Sequence, residues 1–166
     1  YGKYLIFIDD DAVAYSDWLQ KIQEFIVRQP TVAVFGGPYE AFSKVLRPNW
    51  FPPEYGSLYL GDKERPIRFG SEWITGTNLI VRKDVFFDVG GFHHLLGSVK
   101  NGIFYFGEES RLIVDLYNRG YIPYYVPSVR VKHLIRPEKF SLFYLLKSNY
   151  LMGRNHCLTL DTARTL

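Results

Sequence analysis

Three consecutive carboxylates, Asp9-Asp10-Asp11, follow directly on the apolar run Tyr4–Ile8. In an extended chain alternate side chains point the same way, so Asp9 and Asp11 share one side and Asp10 takes the other. Hard carboxylate oxygens suit Mg²⁺ or Mn²⁺ carrying a substrate diphosphate. The alternative is a set of turn or helix-capping acids, but three adjacent acids repel one another unless a cation neutralises them. The pattern favours a metal cofactor site made by these three acids.

A second group of residues, Trp73 with Gly76, Thr77 and Asn78, precedes a short β-rich run. Small residues let a substrate approach the backbone closely, and an amide side chain both donates and accepts hydrogen bonds. The Trp73 ring offers a flat face for a sugar. An ordinary turn with a buried tryptophan explains the same pattern equally well. These residues are therefore candidate substrate contacts, and the two interpretations stay open.

Glu108-Glu109 and His133 complete the candidate chemistry. Two acids at a helix start complement the helix dipole, and this structural explanation is the more common one. A general base, however, needs a carboxylate near a substrate hydroxyl, and a helix N-terminus at a loop edge presents one. A lone histidine is more often structural, yet an imidazole also completes divalent-metal sites or donates to a phosphate.

The elements that must position these groups predict an α/β fold. Tyr4–Ile8 is typical of a strand buried on both faces, as in a parallel sheet. A helix is predicted to begin at a Ser16 hydroxyl cap and to stop at Pro30. Residues 38–72, rich in Pro, Gly and aromatic residues, predict a long loop with short strands, and 93–107 a second loop. The other predicted elements are strands at 31–35, 79–81, 124–126 and 129–131, helices at 83–89, 108–119 and 139–153, and a tail at 156–166.

The composition limits the class of protein. At 166 residues with 47% hydrophobic residues, the chain is long enough for one folded domain with a proper core. The net charge of +3 comes from scattered basic residues, which gives nucleic-acid binding little support. A single cysteine, Cys157, excludes an internal disulfide, and no apolar run reaches the length of a membrane span. The aromatic share of 17% predicts a crowded aromatic core or aromatic platforms for sugars or a membrane surface.

The order of these signals along the chain is more specific than any one of them. It resembles family-2 glycosyltransferases of the GT-A fold over roughly residues 3–155. The resemblance is carried by the strand and acids of 4–11, Asp17-Trp18-Leu19, Gly36-Gly37-Pro38, Thr75–Lys83, Val89–Phe92, Gly107-Glu108-Glu109, Gly120-Tyr121, Val126-Pro127 and His133.

The resemblance implies a metal site that binds the diphosphate of a nucleotide sugar. Asp9-Asp10-Asp11 occupies the place of the family's Asp-x-Asp motif. Asp11 would be the direct ligand of Mn²⁺ or Mg²⁺, with Asp9 nearer the ribose and the water shell of the metal. His133 matches the histidine that reaches the metal or the diphosphate. The cation would stabilise the departing nucleoside diphosphate.

The resemblance also implies a catalytic base and an acceptor pocket. Glu109, next to Glu108, falls at the family's general base and would deprotonate an acceptor hydroxyl for direct displacement, with inversion at the anomeric carbon. Gly76, Thr77 and Asn78 match the floor of the sugar pocket. The expected donor is a nucleoside-diphosphate sugar and the expected acceptor a saccharide or a lipid-linked acceptor, in polysaccharide or glycoconjugate synthesis.

Two departures from the family pattern leave alternatives open. The family usually has Glu-Asp where this chain has Glu108-Glu109, and the additional methylene lengthens the reach by about 1.5 Å. The family's N-terminal nucleotide-binding strands are expected to be missing before the first strand, which predicts weak donor binding and an exposed sheet edge. A non-catalytic carbohydrate-binding or scaffold domain fits these departures, and a metal-dependent phosphohydrolase would use the same acids.

The C-terminal helix at 139–153 is apolar, aromatic and flanked by Lys139, Lys147 and Arg154. Such a helix lies on a membrane surface, where lipid-linked acceptors are found, or packs over the sheet or against a partner. Arg154 is a weak candidate for a diphosphate contact. The expected location is cytoplasmic, with peripheral contact at the inner face of the membrane.

Overall fold

The computed structural model describes residues 2–93, 96, 99–100, 103–104 and 107–164. Ten short strands are found within these residues, and they cover only a small part of the chain. Their bounds are β1 Tyr4–Ile8, β2 Ala12–Ala14, β3 Val34–Gly36, β4 Tyr39–Phe42, β5 Arg65–Pro66, β6 Asn78–Arg82, β7 Val99–Lys100, β8 Ile103–Phe104, β9 Tyr124–Tyr125 and β10 Val131–Leu134.

The helices separate the strands in the alternating order that was predicted. Their bounds are α1 Trp18–Arg28, α2 Lys83–Asp88, α3 Glu108–Asn118 and α4 Leu142–Arg164, with a 3₁₀ turn at Pro137–Lys139 before the last. In the described part of the chain, no helix is long and apolar enough to cross a membrane.

The described strands form a five-stranded mixed sheet, a three-stranded sheet and a hairpin. The large sheet has the order β1-β6-β3-β9-β5, in which β6 runs antiparallel to β1 and β3, and β9 runs parallel to β3. The small sheet has the order β2-β10-β4 and lies where the acids leave β1. The mixed α/β architecture predicted from the sequence is confirmed.

The core occupies both faces of the large sheet because neighbouring residues on β6 point to opposite sides. Leu79 and Val81 pack with α2 and α3 on one face. Ile80 lies between them in the chain and packs with α1 on the other face. All three side chains are fully buried, and burial of a side chain of this size stabilises the fold by roughly 1.5–3 kcal/mol. The sheet is therefore a rigid platform covered by helices on both sides.

The predicted burial of Tyr4–Ile8 on both faces in a parallel sheet is wrong. Strand β1 lies at an edge of the described sheet and pairs antiparallel with β6, from Tyr4 opposite Arg82 to Ile8 opposite Asn78. Ile6 and Ile8 each keep 39% of their surface exposed. A continuous apolar run shows that a strand is hydrophobic, but not which neighbours cover it.

Several predicted boundaries also differ from the structure. Asp17, not Ser16, precedes α1, and its side chain makes no capping hydrogen bond. The last strand begins at Val131 because the backbone at Val129 is held in a turn on Val126. Helix α4 begins at Leu142 and continues to Arg164, so the predicted tail at 156–166 is helical as far as Arg164.

The predicted long loop at 38–72 has little regular structure, as expected. It contains β4, the two residues of β5, and a bridge in which the backbone groups of Tyr39 and Leu58 bond reciprocally at 3.3 and 2.9 Å. The predicted loop at 93–107 contains the hairpin of β7 and β8, and several of its other residues lie outside the described part of the chain.

Candidate active site

The acids at the end of β1 are held against β10 by the backbone. The chain turns after Ile8, and the N–H of Ala12 donates to the carbonyl of Asp9 at 3.0 Å. The carbonyl of Asp11 then accepts from the N–H of Leu134 at 2.9 Å. Because β2 pairs with β10, Ala12 lies opposite His133. Backbone hydrogen bonds thus fix two acids and one imidazole at a single point.

Asp9, Asp11 and His133 each offer one ligand atom, and the three atoms lie within 4.8 Å of one another. The nearest approach is 3.3 Å, from His133 Nε2 to Asp11 Oδ1, and both side chains are largely buried. The buried Nδ1 of His133 has no hydrogen-bond partner among the described residues. The geometry therefore brings together the three residues that were predicted to bind metal.

The donor set of this cluster fits a divalent cation. Two carboxylate oxygens and an imidazole nitrogen at this spacing suit Mn²⁺, because all-oxygen ligands are the usual preference of Mg²⁺. A cation between Asp9 and Asp11 would also remove the repulsion between two largely shielded carboxylates.

Asp10 does not join this cluster. Its side chain is 92% exposed, and its nearest basic neighbour is Arg136, whose Nη2 lies 3.8 Å away. The turn after β1 keeps the alternation of the strand and points this side chain to solvent, so the assignment of Asp10 as a cofactor contact stays a prediction. The neighbouring Asp10 and Asp11 therefore have different environments.

Arg136 is a site residue that the sequence analysis missed. Its Nε lies 3.4 Å from Asp11 Oδ2, and the side chain is about half exposed. The guanidinium thus lies over the acidic cluster, where it is able to pair with an anion that binds there. A signal was present in the sequence, because Arg136 follows the candidate ligand His133 by three residues.

Thr77 holds Asp9 in place. Its hydroxyl donates to Asp9 Oδ2 at 2.6 Å, and the side chain is 6% exposed. Thr77 was predicted to contact substrate, but its donor is already committed to a candidate metal ligand. This hydrogen bond orients the Asp9 carboxylate, as the outer partners of metal ligands generally do, and a contact of Thr77 with substrate stays a prediction.

Asn78 belongs to the core and does not face a ligand. Its side-chain oxygen accepts from the Trp18 indole at 3.0 Å, and its amide donates to the carbonyls of Val129 at 2.7 Å and Pro38 at 3.3 Å. The side chain is almost fully buried. Its prediction as a substrate contact is therefore wrong: the amide satisfies the polar groups where α1, β6 and the β10 turn meet.

Gly76 gives the Glu109 carboxylate room to approach. A methyl group on Gly76 would lie 2.7 Å from Glu109 Oε1, closer than side chains tolerate. Glu109 lies in the first turn of α3, which begins after Gly107 in the left-handed conformation. The loop before β6 and the start of α3 are thereby held side by side, which brings two predicted site elements together.

Burial raises the pKa of Glu109, and the nearby carboxylates of Glu108 and Asp9 raise it further. The Gly76 and Glu109 backbone N–H groups act in the opposite direction but do not prevail. The influence of Asp9 shows that the candidate base and the candidate metal cluster share one electrostatic environment. A carboxylate with a raised pKa is suited to accept a proton near neutral pH.

Tyr39 and Thr75 lie near these groups and were not among the predicted site residues. The Tyr39 ring lies edge-on to His133, with 5.6 Å between centroids. Burial raises the pKa of Tyr39, with Asp9 and Glu109 adding to the effect and the nearby Thr75 hydroxyl lowering it. Nothing in the loop sequence predicts these contacts, because they depend on how β4 pairs with β10.

Tyr39 also lines a cleft of about 580 Å³, a volume within the range of small-molecule sites. Asp17, Glu40, Tyr59 and Arg130 are among the residues around it. It adjoins the acidic cluster through the tyrosine ring.

Glu108 and Trp73 are the two other predicted site residues. Glu108 is half-buried at the start of α3, beside Glu109. Trp73 is half-buried in the loop before β6. Their assignment to catalysis and to substrate binding, respectively, stays a prediction.

Comparison with known proteins agrees with this geometry. The sequence model of Glycosyl transferase family 2 matches residues 1–90. A glucosyl-dolichyl phosphate glucuronosyltransferase from Haloferax volcanii is 31% identical over 94 residues, which are 55% of this chain and 30% of that protein.

Among solved structures, a crystal structure of GalNAc-T7 with UDP, GalNAc and Mn²⁺ aligns with a TM-score of 0.56 at 14% identity. The alignment covers 82% of this chain and 28% of that one, so the chain spans about a third of the length of these two proteins. At this identity the likeness shows the fold, which is the GT-A fold that was predicted. With more than half of the chain matched by the family model, the protein belongs to glycosyl transferase family 2.

Proposed function

We propose that the protein is an inverting glycosyltransferase that moves a sugar from a nucleoside diphosphate to a lipid-linked saccharide, in polysaccharide or glycoconjugate synthesis. The observation that carries this proposal is that adjacent residues contact both groups: Gly76 lies against the Glu109 carboxylate, and Thr77 hydrogen-bonds to Asp9 of the Asp9, Asp11 and His133 cluster. A base and a diphosphate-binding site must lie this close together for one sugar carbon to reach both. The name of the Haloferax volcanii relative supports a dolichyl-phosphate-linked acceptor.

In the proposed reaction, Glu109 accepts the proton of the acceptor hydroxyl. The acceptor oxygen forms a bond to the anomeric carbon from the side opposite the diphosphate, and the bond from that carbon to the diphosphate oxygen breaks with its electron pair. Arg136 pairs with the diphosphate as it gains charge. A divalent cation held by Asp9, Asp11 and His133 would supply further charge stabilisation to the leaving group.

The cleft beside Tyr39 supports a saccharide ligand. Polar side chains around it, among them Asp17 and Ser128, are suited to hydrogen-bond to sugar hydroxyls. The location of the protein in the cytoplasm stays a prediction.

The test is calorimetric titration of UDP, GDP and TDP into the full-length protein with and without Mn²⁺, together with a transfer assay. Asp11→Ala should abolish Mn²⁺-dependent binding and lower transfer by roughly 10³-fold, because a metal contributes several kcal/mol to the transition state. Asp10→Ala is the matched control, since it removes the same charge from an exposed position. It should change both quantities by less than about threefold, under 1 kcal/mol as exposed charges usually contribute.

Sugar binding that does not depend on metal, with no transfer in the full-length protein, would favour the alternative of a non-catalytic carbohydrate-binding or scaffold domain. Equal losses in Asp10→Ala and Asp11→Ala would refute the assignment of the cluster.

A further inference from the structure

Two elements outside the candidate site expose large apolar side chains. In the segment of residues 44–50, Leu46 is 95% exposed, and Val45 and Trp50 are about half exposed. On α4, the exposed apolar side chains among the described residues include those of Leu142, Phe143, Leu146, Tyr150 and Met152, with Phe143 at 75%. A scattered exposed leucine needs no explanation, but clustered exposed aromatic and aliphatic side chains mark an interaction surface.

The four most exposed apolar residues of α4 lie on one face of the helix, and Met152 lies outside it. Leu142, Phe143, Leu146 and Tyr150 are spaced at i, i+1, i+4 and i+8, which confines them to an arc of about 100°. Tyr144, Leu145, Ser148 and Leu151 on the other side are partly buried. The helix thus uses one side to pack on the protein and presents an apolar face to solvent.

Packed aromatic rings join the 44–50 segment to the start of α4. Trp50 lies 5.7 Å from Phe51, and Phe51, which is almost fully buried, lies 4.8 Å from Phe140. Tyr55, in contact with Phe51 at 4.9 Å, also lies close enough to raise the pKa of Tyr144, to which burial contributes most. The two exposed elements are therefore neighbours on one packed base.

The net positive charge of the chain arises in the same region. Residues 43–56 and 136–154 contain six basic and two acidic side chains, against twenty and seventeen in the whole chain. These two segments account for the whole positive net charge of the protein, and the remainder is slightly acidic. Basic residues that flank an apolar helix face are the pattern of a helix that lies in a membrane interface.

We propose that the 44–50 segment and α4 form one docking surface for a lipid bilayer with anionic headgroups. This inference rests on the proposed transfer to a lipid-linked acceptor and deepens it. The chain passes from His133 to Leu142 through a single 3₁₀ turn, so docking of α4 would hold the metal cluster within a short distance of the headgroups. A phosphate-linked acceptor would then reach the site without leaving the bilayer.

The test is co-flotation of the protein with vesicles of phosphatidylcholine alone or mixed with phosphatidylglycerol, at low and high salt. We expect flotation with the mixed vesicles that weakens in salt. The double variant Phe143→Ser/Leu146→Ser, and Leu46→Ser separately, should each weaken vesicle binding about tenfold or more, because apolar area no longer enters the interface. Lys147→Glu should weaken binding to the mixed vesicles only.

Leu19→Ser/Val27→Ser is the matched control, because both side chains are exposed on α1 away from the proposed surface. The proposal is overturned by absence of vesicle binding in the wild-type protein, or by an equal loss in this control. A mass in light scattering that falls in Phe143→Ser/Leu146→Ser without any vesicle binding would instead identify the surface as a contact between copies. Flotation does not require sugar transfer, so failure of transfer alone would count against the proposed function and leave the docking surface intact.

Discussion

Two carboxylates with little exposure to water, Glu72 and Glu109, have opposite electrostatic surroundings. Glu72 is 10% exposed and receives both guanidinium nitrogens of Arg65, at 2.6 and 2.8 Å. Arg68 adds its Nε at 3.1 Å and its backbone N–H at 2.8 Å. The Arg65 hydrogen bond is the largest of the effects that lower the pKa of Glu72 to about 2.

Glu109 has carboxylates where Glu72 has guanidinium groups. Burial raises its pKa, and Glu108 and Asp9 act in the same direction. A charge that is neutralised permanently stabilises the fold but cannot take up a proton in the physiological range. The ion pairs of Glu72 thus stabilise a loop, whereas Glu109 is able to exchange a proton. Carboxylates with a shifted pKa cluster at functional sites, which favours Glu109 as a site residue.

The substitution Glu109→Gln is the strongest test of the proposed difference between Glu72 and Glu109. Transfer should fall by roughly 10² to 10⁴-fold, because the amide cannot accept the proton. Donor binding with Mn²⁺ should change little, and calorimetry checks this on the same sample. A collapse of donor affinity together with turnover would show that Glu109 holds the donor and is not the base.

The pH dependence of the same residue sharpens the test. A base must be ionised, so kcat/KM should fall as the pH drops through the pKa of Glu109, at a higher pH than for an ordinary glutamate. Glu108→Gln removes one charge that raises this pKa, and should move the acid limb of the profile to lower pH. An unchanged limb in Glu108→Gln would mean that another group controls it.

Thr77→Val is expected to have the next largest effect. The substitution preserves shape and removes the hydroxyl that donates to Asp9. Affinity for Mn²⁺ should fall about 10- to 100-fold, as it does when outer partners of metal ligands are lost. Thr31→Val makes the same chemical change at an exposed position in the turn after α1, and should leave Mn²⁺ affinity within a few-fold. Equal losses in the two variants would show that the effect of Thr77→Val does not come from its contact with Asp9.

The smallest effect is expected in stability, from Glu72→Gln. Loss of the paired charge should lower the free energy of unfolding by roughly 1 to 2 kcal/mol near pH 7. Folding lowers the pKa of Glu72 from 4.5 to about 2. The ionised side chain therefore stabilises the folded state fully at a pH above 4.5, and this contribution is lost as the pH falls towards 2. The difference between the wild type and Glu72→Gln should therefore disappear across that range in denaturant titrations.

The effect of Glu109→Gln on the free energy of unfolding should differ from that of Glu72→Gln. Folding raises the pKa of Glu109, so its ionisation above the unfolded value weakens the folded state. The variant should then be no less stable than the wild type at neutral pH, while Glu72→Gln is less stable. If both variants lost stability equally, the proposed contrast between the two carboxylates would be wrong.

The elements of this fold were readable from the sequence where a local pattern dominates. The apolar spacing of α1 and α3, Pro30 after α1 and Gly120 after α3 indicate both helices within a few residues. The acids after β1 were recognisable as a candidate site because three consecutive carboxylates are rare at the end of a strand. The pairing of β1 was not readable, since an apolar run does not encode its neighbours.

The roles of adjacent site residues were decided by contacts that no local pattern contains. Asp10 and Asp11 have the same side chain, yet only Asp11 faces His133. Thr77 and Asn78 were both predicted to contact substrate. In the structure, Thr77 hydrogen-bonds to the candidate ligand Asp9, whereas Asn78 hydrogen-bonds to buried polar groups of the core. The order of motifs identified the family, but not which member of each motif reaches the site.

The sequence by itself determined the fold class and the family, and it predicted the three residues of the candidate metal cluster, because strand patterns and the order of motifs are properties of the chain alone. Only the tertiary structure decided that Arg136, Tyr39 and Thr75 join the site, and that Glu109 shares the field of Asp9. The physical reason is that burial and neighbouring charges set the chemistry of a side chain, and both arise from segments far apart in the chain.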